Sequence, residues 1–353
     1  MTMKHAMSNS NELVSVVESQ QVIINDLLEI LPANHDLLNS FKSDLDSISL
    51  ESVRILVYGK IACGKSQLIN AIHGYKLAPS RHSSIIPPSI AEYKSGADDK
   101  AILYPTSELH NNVTTPFQIQ LDEIKTYLSI CDKNDSIKKE SPFEKFEKLE
   151  LYSTRCKVGL NLIDVTLKSW DMSELLSRIA NGNLSKIDTV VYCMRADSAY
   201  SATDKYNIEI LRSLGYTSIV FVLTFWDTLL FNDEIMGTND AQTVKEWCLK
   251  ILAPLTDLGE RGIFFVDSSC AIEGKINNDH ELIEKSGILQ LDRHIDNLIM
   301  NHQKAVISKI TSINKTLTDI LGDFIRICLN IKEKNVQLSY ELCDLIDNKN
   351  TTK

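Results

Sequence analysis

No stretch of the 353 residues approaches the roughly 20 consecutive apolar positions that cross a bilayer. Met1 to Asn11 has no apolar core, so no secretory signal is expected there. The eight cysteines fall singly, at 63, 131, 156, 193, 248, 270, 328 and 343, without a C-x-x-C pair. Neither a zinc site nor a disulfide framework is expected, a reducing cytosol fits, and most of these thiols read as small core residues. Positive charge is also short, since 37 Lys and Arg against 47 Asp and Glu leave a net charge of -10. Non-specific nucleic-acid binding needs a cationic surface that displaces counterions, so nucleic acid is not an expected partner. Strong electrostatic attachment to anionic lipid is disfavoured for the same reason, unless a local basic patch escapes the average. What is left, 43% hydrophobic and 24% charged, is ordinary for a globular protein, and the length predicts two or three units.

The chain is organised around Arg54-Ile-Leu-Val-Tyr-Gly-Lys-Ile-Ala-Cys-Gly-Lys-Ser66. An apolar run from Ile55 to Tyr58 reads as a buried strand, Gly59 to Ser66 as a glycine-bounded loop, and Gln67 to His73 as a helix, with G-x-x-x-x-G-K-S spacing at the junction. Two glycines let the backbone wrap phosphates, successive N–H groups form an anion nest, and the helix N-terminus adds partial positive charge. Gly59, Lys60, Cys63, Gly64, Lys65, Ser66 and Gln67 are therefore the expected nucleotide-binding set here. Lys65 is expected to reach the β- and γ-phosphates, and Ser66 to hold Mg²⁺.

Upstream, Leu13, Val17, Ile24, Leu27 and Leu31 form one helical stripe ended by Pro32, and Leu37, Leu38, Phe41, Leu45 and Ile48 form a second. Downstream, Gly74 to Pro88 is rich in Ser and Pro. In that loop Ser84, with Ser83 beside it, is the candidate switch hydroxyl that closes the Mg²⁺ shell, an ordinary turn serine being the other reading. Strands are expected at Ile90–Lys94, Lys100–Leu103, Leu149–Tyr152, Val158–Asp164, Thr189–Met194, Ser218–Thr224 and Ile263–Asp267. Helices are expected at Leu121–Ile130, Ala202–Leu214 and Asp240–Leu252. Alternating elements with continuous apolar strands predict an α/β fold with a mostly parallel sheet covered on both faces.

Ligands of such sheets bind at the carboxyl ends of the strands. Those ends read Gly59–Ser66, Asp164-Val-Thr-Leu167, Thr224-Phe-Trp-Asp227 and Ser268-Ser-Cys-Ala271. The order is that of a GTPase: phosphate loop, Mg²⁺ carboxylate Asp164, a guanine-reading acid Asp227 after Thr224, and a small-residue loop, Ser268 and Ser269, against the base. Asp227 can accept two hydrogen bonds from guanine that adenine cannot offer, so ATP should be rejected.

With these residues in place, the stretch from about Arg54 to Leu298 resembles the dynamin-like GTPases, especially the bacterial ones. Gly59-Lys-Ile-Ala-Cys-Gly-Lys-Ser66 with Leu68-Ile-Asn-Ala71 looks like that family's phosphate loop and helix. Leu121 to Ile163 is similar to its long insertion before the Mg²⁺ motif. Asp188-Thr-Val-Val-Tyr through Asp197, Asp204 and Leu211 looks like its segment between the third and fourth motifs. The chain is similar also to septin-like GTPases of the chloroplast-import and immunity-associated type, which share Gly59-Lys60 but lack so long an insertion. Three departures stand out. The third motif reads D-V-T-L instead of D-T-P-G, Ala62 replaces a serine that helps place a charge-compensating cation, and Phe225 replaces the lysine of T-K-x-D. The resemblance implies GTP or GDP with Mg²⁺ as ligands, Lys65 and Ser84 as catalytic residues, and a metal held by Ser66, Ser84 and Asp164.

From Val306 a heptad seam runs through Ile310, Ile313, Leu317, Ile320, Phe324, Ile327 and Ile331, and resumes at Leu338, Leu342 and Leu345. With the two upstream helices it predicts a helical bundle, which the resemblance identifies with a dynamin-like neck; a coiled-coil dimer is the alternative. The expected division is 1–50 for the N-terminal neck helices, 51–300 for the GTPase domain and 301–353 for the C-terminal neck helix. No membrane-inserting paddle is visible, so membrane contact is expected only through a partner, with the protein cytoplasmic or peripheral at a membrane. Two functional readings follow. One is a GTPase, weak alone because of D-V-T-L, whose hydrolysis drives self- or partner association in membrane remodelling, through a homodimer at the GTPase face or hetero-assembly with another dynamin-like protein. The other is a non-catalytic GTP- or GDP-holding subunit docked on such a partner. An ATP-dependent P-loop enzyme is a third class, separable by nucleotide competition.

Overall fold

The structure, a computed structural model, describes residues 19–26, 39–40, 42, 52–78, 90–105, 115–124, 146–165 and 187–350, the side chains at 147 and 342–350 excepted. The chain divides into two compact units, Glu51–Met300 and the pair Met1–Leu50 with Asn301–Lys353.

In the first unit the strands are β1 (Val53–Gly59), β2 (Ile90–Ser95), β3 (Lys100–Pro105), β4 (Phe117–Gln120), β5 (Phe146–Ser153), β6 (Leu160–Val165), β7 (Thr189–Arg195), β8 (Val220–Thr224) and β9 (Ile263–Phe265). Among the described residues they form one sheet in the order β4-β3-β5-β2-β6-β1-β7-β8-β9. From β6 to β9 every pairing is parallel. Beyond β6 the sheet changes character: β2 runs antiparallel to β6 but parallel to β5, and β3 runs antiparallel to both its neighbours. The helices are α1 (Lys65–His73), α2 (Ala202–Ser213), α3 (Trp226–Met236), α4 (Asp240–Leu252), α5 (Ser268–Asn277), α6 (His280–Lys285) and α7 (Ile288–Asn350).

Strand β1 has no polar side because both faces of the sheet are covered. Val53, Ile55 and Val57 join the core formed with Leu68 and Ile69 of α1, Ala271 of α5 and Leu291 of α7. Leu56 and Tyr58 join the opposite core, with Ile208 and Leu211 of α2 and Leu252 of α4. This double burial is why the strand reads as a continuous apolar run.

Toward β5 one face carries charge instead. Glu92, 1% exposed, accepts from Asn161 at 3.1 Å and pairs with Arg54 at 3.2 Å, Lys94 at 2.9 Å and Lys148 at 3.0 Å. Lys94 and Lys148 also bridge to Glu150, at 3.2 Å and 2.6 Å. Burial pushes the Glu92 carboxyl up, but the three cations and Asn161 outweigh it and bring it down to about 2.

Several expected boundaries shift. The strand expected at Val158–Asp164 is Leu160–Val165, and β4 was not anticipated. Leu121–Glu123 forms a 3₁₀ turn, and the rest of the helix expected to Ile130 lies outside the described residues after Ile124. The last helix starts at Ile288 rather than Val306. Two expected loops are helix starts, since α3 takes in Asp227 and α5 begins at Ser268.

In the second unit the helical stretch 19–26 lies on α7. The Gln20 amide donates to the Ile310 carbonyl at 3.2 Å and to the Asn314 side chain. Ile24, Ile310, Ile313 and Leu317 are buried. Farther along α7, the seam positions Ile327 and Ile331 are more than half exposed. Of the upstream stripes, Leu13, Val17, Leu27, Leu31, Leu37, Leu38, Phe41, Leu45 and Ile48 lie outside the described residues.

Candidate functional site

Strand β1 delivers the loop at Gly59, which pairs with Cys193 of β7. A Cβ on Gly59 would stand 2.3 Å from the Cys193 carbonyl oxygen, so the loop leaves the strand this way only because residue 59 has no side chain. Gly64, at φ 91, is the N-cap of α1. As a glycine, Gly64 offers no side chain to cap this helix end, whose first N–H groups adjoin the loop. Lys65 Nζ lies across the loop and donates to the carbonyls of Gly59 at 3.0 Å and Lys60 at 3.1 Å.

Strand β6 sets Asp164 beside Val57, two residues before Gly59. Ser66, in the first turn of α1, donates its hydroxyl to Asp164 Oδ2 at 3.4 Å. Asp164 is 2% exposed, and its Oδ1 is buried with no hydrogen-bond partner among the described residues. Burial raises its pKa, while the charge of Lys65 and the hydrogen bond from Ser66 act against that rise. A carboxylate desolvated on one oxygen and touched by a serine on the other is a donor pair suited to a hard cation that keeps its remaining ligands as water or phosphate oxygen.

Thr224 ends β8 with its hydroxyl 2.6 Å from the Cys63 carbonyl and 3.1 Å from that of Met194. Its role in this geometry is to tie β8 to the loop between Gly59 and Gly64. Phe225 follows in the left-handed region at φ 56 and is the N-cap of α3. Its ring edge is 3.3 Å from where a Cβ on Gly64 would be, and the Arg195 guanidinium lies over the ring at 4.3 Å. Asp227 is exposed in the first turn of α3.

The last strand end closes the same region. Asp267 caps α5 by accepting from the amides of Ser269 at 2.9 Å and Cys270 at 3.0 Å. Burial raises its pKa, the two amides oppose this, and the nearby Asp227 charge adds to the rise. Ser269 donates to the Gln67 side-chain oxygen at 3.1 Å, which joins α5 to α1. Ser268 is buried, and its hydroxyl has no partner among the described residues.

Lys65, Ser66 and Asp164 thus stand together, with Thr224 braced on the loop and Gln67 joined to Ser269. Lys60 turns away from the loop: its ammonium pairs at 2.8 Å with Asp204 of α2 and hydrogen-bonds Ser201. Cys63 is buried and hydrogen-bonded to Cys193, whose own thiol is pushed well up by burial. Ser83, Ser84, Thr166 and Leu167 lie outside the described residues. Two features escape a reading of the sequence: the place of Arg195 over the Phe225 ring, and the capping role of Asp267, although an Asp just before Ser-Ser at a helix start is a capping signal.

No known protein-family profile matches the chain. A curated relative described as "uncharacterized protein in xynA 3′ region", from Caldicellulosiruptor sp. (strain Rt8B.4), is 22% identical over 307 residues, covering 83% of this chain and 66% of the relative. Two solved structures of an oligomerised bacterial dynamin pair, presented as a mechanism for long-range sensing and tethering of membranes, superpose with TM-scores of 0.55 and 0.51 at 17% and 16% identity. They cover 95% and 96% of this chain, which spans about half their own length, 50% and 51%. The fold is therefore that of a dynamin-like GTPase. Among the described residues no helix is long and apolar enough to cross a membrane.

Proposed function

We propose that this chain of dynamin-like fold binds guanine nucleotide with Mg²⁺ and hydrolyses GTP to drive association with itself or with another dynamin-like protein at a membrane surface. The observation that carries the reading is the Ser66–Asp164 contact, set beside Lys65 at the N-terminus of α1. In this reading Ser66 and Asp164 hold the ion and Lys65 exchanges the Gly59 and Lys60 carbonyls for phosphate oxygens. Asp227 reads guanine, and Ser84 closes the switch. Mg²⁺ would supply charge neutralisation along the phosphates. The protein's own contribution is positioning and electrostatics. Tethering or remodelling of membranes is supported by what the solved relatives are described as doing, with contact made through a partner.

One observation favours the non-catalytic alternative. Ala62 sits in the loop at φ 65 with no hydroxyl to offer a charge-compensating cation, and Lys60 is already paired with Asp204. The deciding experiment is GTP hydrolysis over a range of protein concentrations, with Lys65→Ala as blank and GTP affinity measured alongside. Turnover that rises with concentration supports the GTPase. Tight binding without turnover at any concentration supports the nucleotide-holding subunit, and absence of guanine-nucleotide binding sinks both.

A further inference from the structure

Phe225 is held in a conformation that side chains with a Cβ seldom adopt, φ 56 and ψ 34, at the junction of β8 and α3. A half-buried aromatic residue stays there only if its surroundings fix it, and here they do so on two sides. One edge of the ring meets Gly64, where a Cβ would come within 3.3 Å. One face is covered by the Arg195 guanidinium, 4.3 Å from the ring centroid. Arg195 is placed for this by the sheet, since β7 and β8 pair it directly with Thr224. Its fork is engaged as well: Nε donates to Asp197 Oδ1 at 3.0 Å and Nη2 to Oδ2 at 2.6 Å.

We infer that Arg195 is a positioning residue of the nucleotide site, which presses the Phe225 ring against Gly64 and presents the ring's other face as a platform for the purine base. This rests on the nucleotide-binding reading and names a determinant within it. The partners of Arg195 decide against a direct role on phosphate. Its charge is matched by a bidentate carboxylate and its planar face is spent on an aromatic ring. A cation on one face of a ring is a stabilising arrangement in its own right. A planar base on the other face completes a three-layer stack. Stacking of this kind tolerates any base, so it supplies affinity, and the choice of guanine falls to Asp227.

The test uses the full chain and two probes, GDP and inorganic pyrophosphate, each titrated with Mg²⁺ by calorimetry. Alanine removal of a stacking ring weakens base binding by about tenfold. Phe225→Ala is expected to lose GDP affinity to that extent, and Arg195→Ala to lose about fivefold. Pyrophosphate affinity should be unchanged in both. Because Arg195 acts through the ring, the double variant should bind GDP no more weakly than Phe225→Ala alone. Phe225→Tyr, which keeps the ring, should bind as the parent does, while Phe225→Leu, which keeps apolar volume without a ring, should be weak. The Tyr and Leu pair still decides the matter if the alanine variant fails to fold. Equal loss of pyrophosphate and GDP affinity in Arg195→Ala would make it a phosphate cation and overturn the inference. So would additive losses in the double variant, or GDP affinity unchanged in either single one. A parent that binds no guanine nucleotide overturns the underlying reading, which separates the two failures.

Discussion

The hydroxyl of Thr224 lies 2.6 Å from the carbonyl oxygen of Cys63, across 161 positions of sequence. A single side chain on β8 thereby fixes the height of the phosphate loop above the sheet. Thr224→Val keeps the shape and removes the donor, leaving a buried carbonyl without its partner. The expected cost is about 1–3 kcal/mol in denaturant unfolding, with a matching loss of nucleotide affinity. Thr224→Ser should recover most of both. If the valine variant unfolds and binds as the parent does, the brace is dispensable.

Asp164 is penalised by its own burial, so its ionised form weakens the fold at neutral pH unless a cation answers it. Asp164→Asn removes that charge. Its unfolding midpoint without added nucleotide should match or exceed the parent's, while GTP binding loses its dependence on Mg²⁺. A midpoint well below the parent's, or an intact Mg²⁺ dependence, would contradict the assignment.

His73, at the end of α1, accepts from the Lys157 amide at 3.1 Å and is half-buried, with its Nε2 atom shielded from solvent. Burial first, then the charges of Lys275 and Lys157, press its pKa from 6.5 down to about 3. The folded chain keeps this ring neutral where the unfolded chain would protonate it. Its contribution is complete above pH 6.5 and is lost as pH falls from 6.5 toward 3, by roughly 1.4 kcal/mol per pH unit. His73→Gln should therefore lose stability less steeply than the parent between pH 6.5 and 5. His294, also lowered by burial, acts the same way in both proteins and cancels in the difference. Parallel curves would show that His73 takes up its proton in the fold.

Asp204 is 2% exposed and serves four donors: Lys60 at 2.8 Å, the Tyr192 hydroxyl at 3.1 Å, and the Ser201 amide and hydroxyl, each at 2.8 Å. Removing it leaves the buried Tyr192 hydroxyl without its acceptor and the half-buried Lys60 ammonium without its counter-charge. Asp204→Ala should cost about 3–5 kcal/mol by urea unfolding, and Asp204→Asn less, since it keeps the acceptor. A loss under about 1 kcal/mol would place the pair among surface ion pairs.

The parallel half of the fold was legible because its strands are apolar on both sides and its phosphate loop has fixed spacing. In the other half the strands at Ile90–Lys94, Lys100–Leu103 and Leu149–Tyr152 were legible as well, but β4 and the pairing of the charged side chains were not. Glu92, Lys94, Lys148 and Glu150 alternate with apolar neighbours, a pattern that reads as a strand with one wet face, yet the charges bury one another. Opposite charges on strands 50 and more residues apart carry no local signal of their pairing. At the site, Lys65, Ser66 and Asp164 could be named from order along the chain. The engagement of Lys60 by Asp204 could not, because it depends on where α2 crosses β7. Phe225 was visible as a departure from a motif, but the cation above it was visible only once the register set Arg195 beside Thr224.

The hydrogen bond from Gln20 to the Ile310 carbonyl spans 290 residues. During synthesis the segment bearing Ile24 must wait, with its apolar side uncovered, until α7 has left the ribosome. Closing so long a loop costs chain entropy, and less of it once the intervening chain is compact. The order expected from this topology is that residues 51–300 collapse before Gln20 and Ile24 dock on α7. Chains interrupted before Ile310 would carry the Ile24 stripe without its cover, and such species are the ones a cell's chaperones and proteases would recognise.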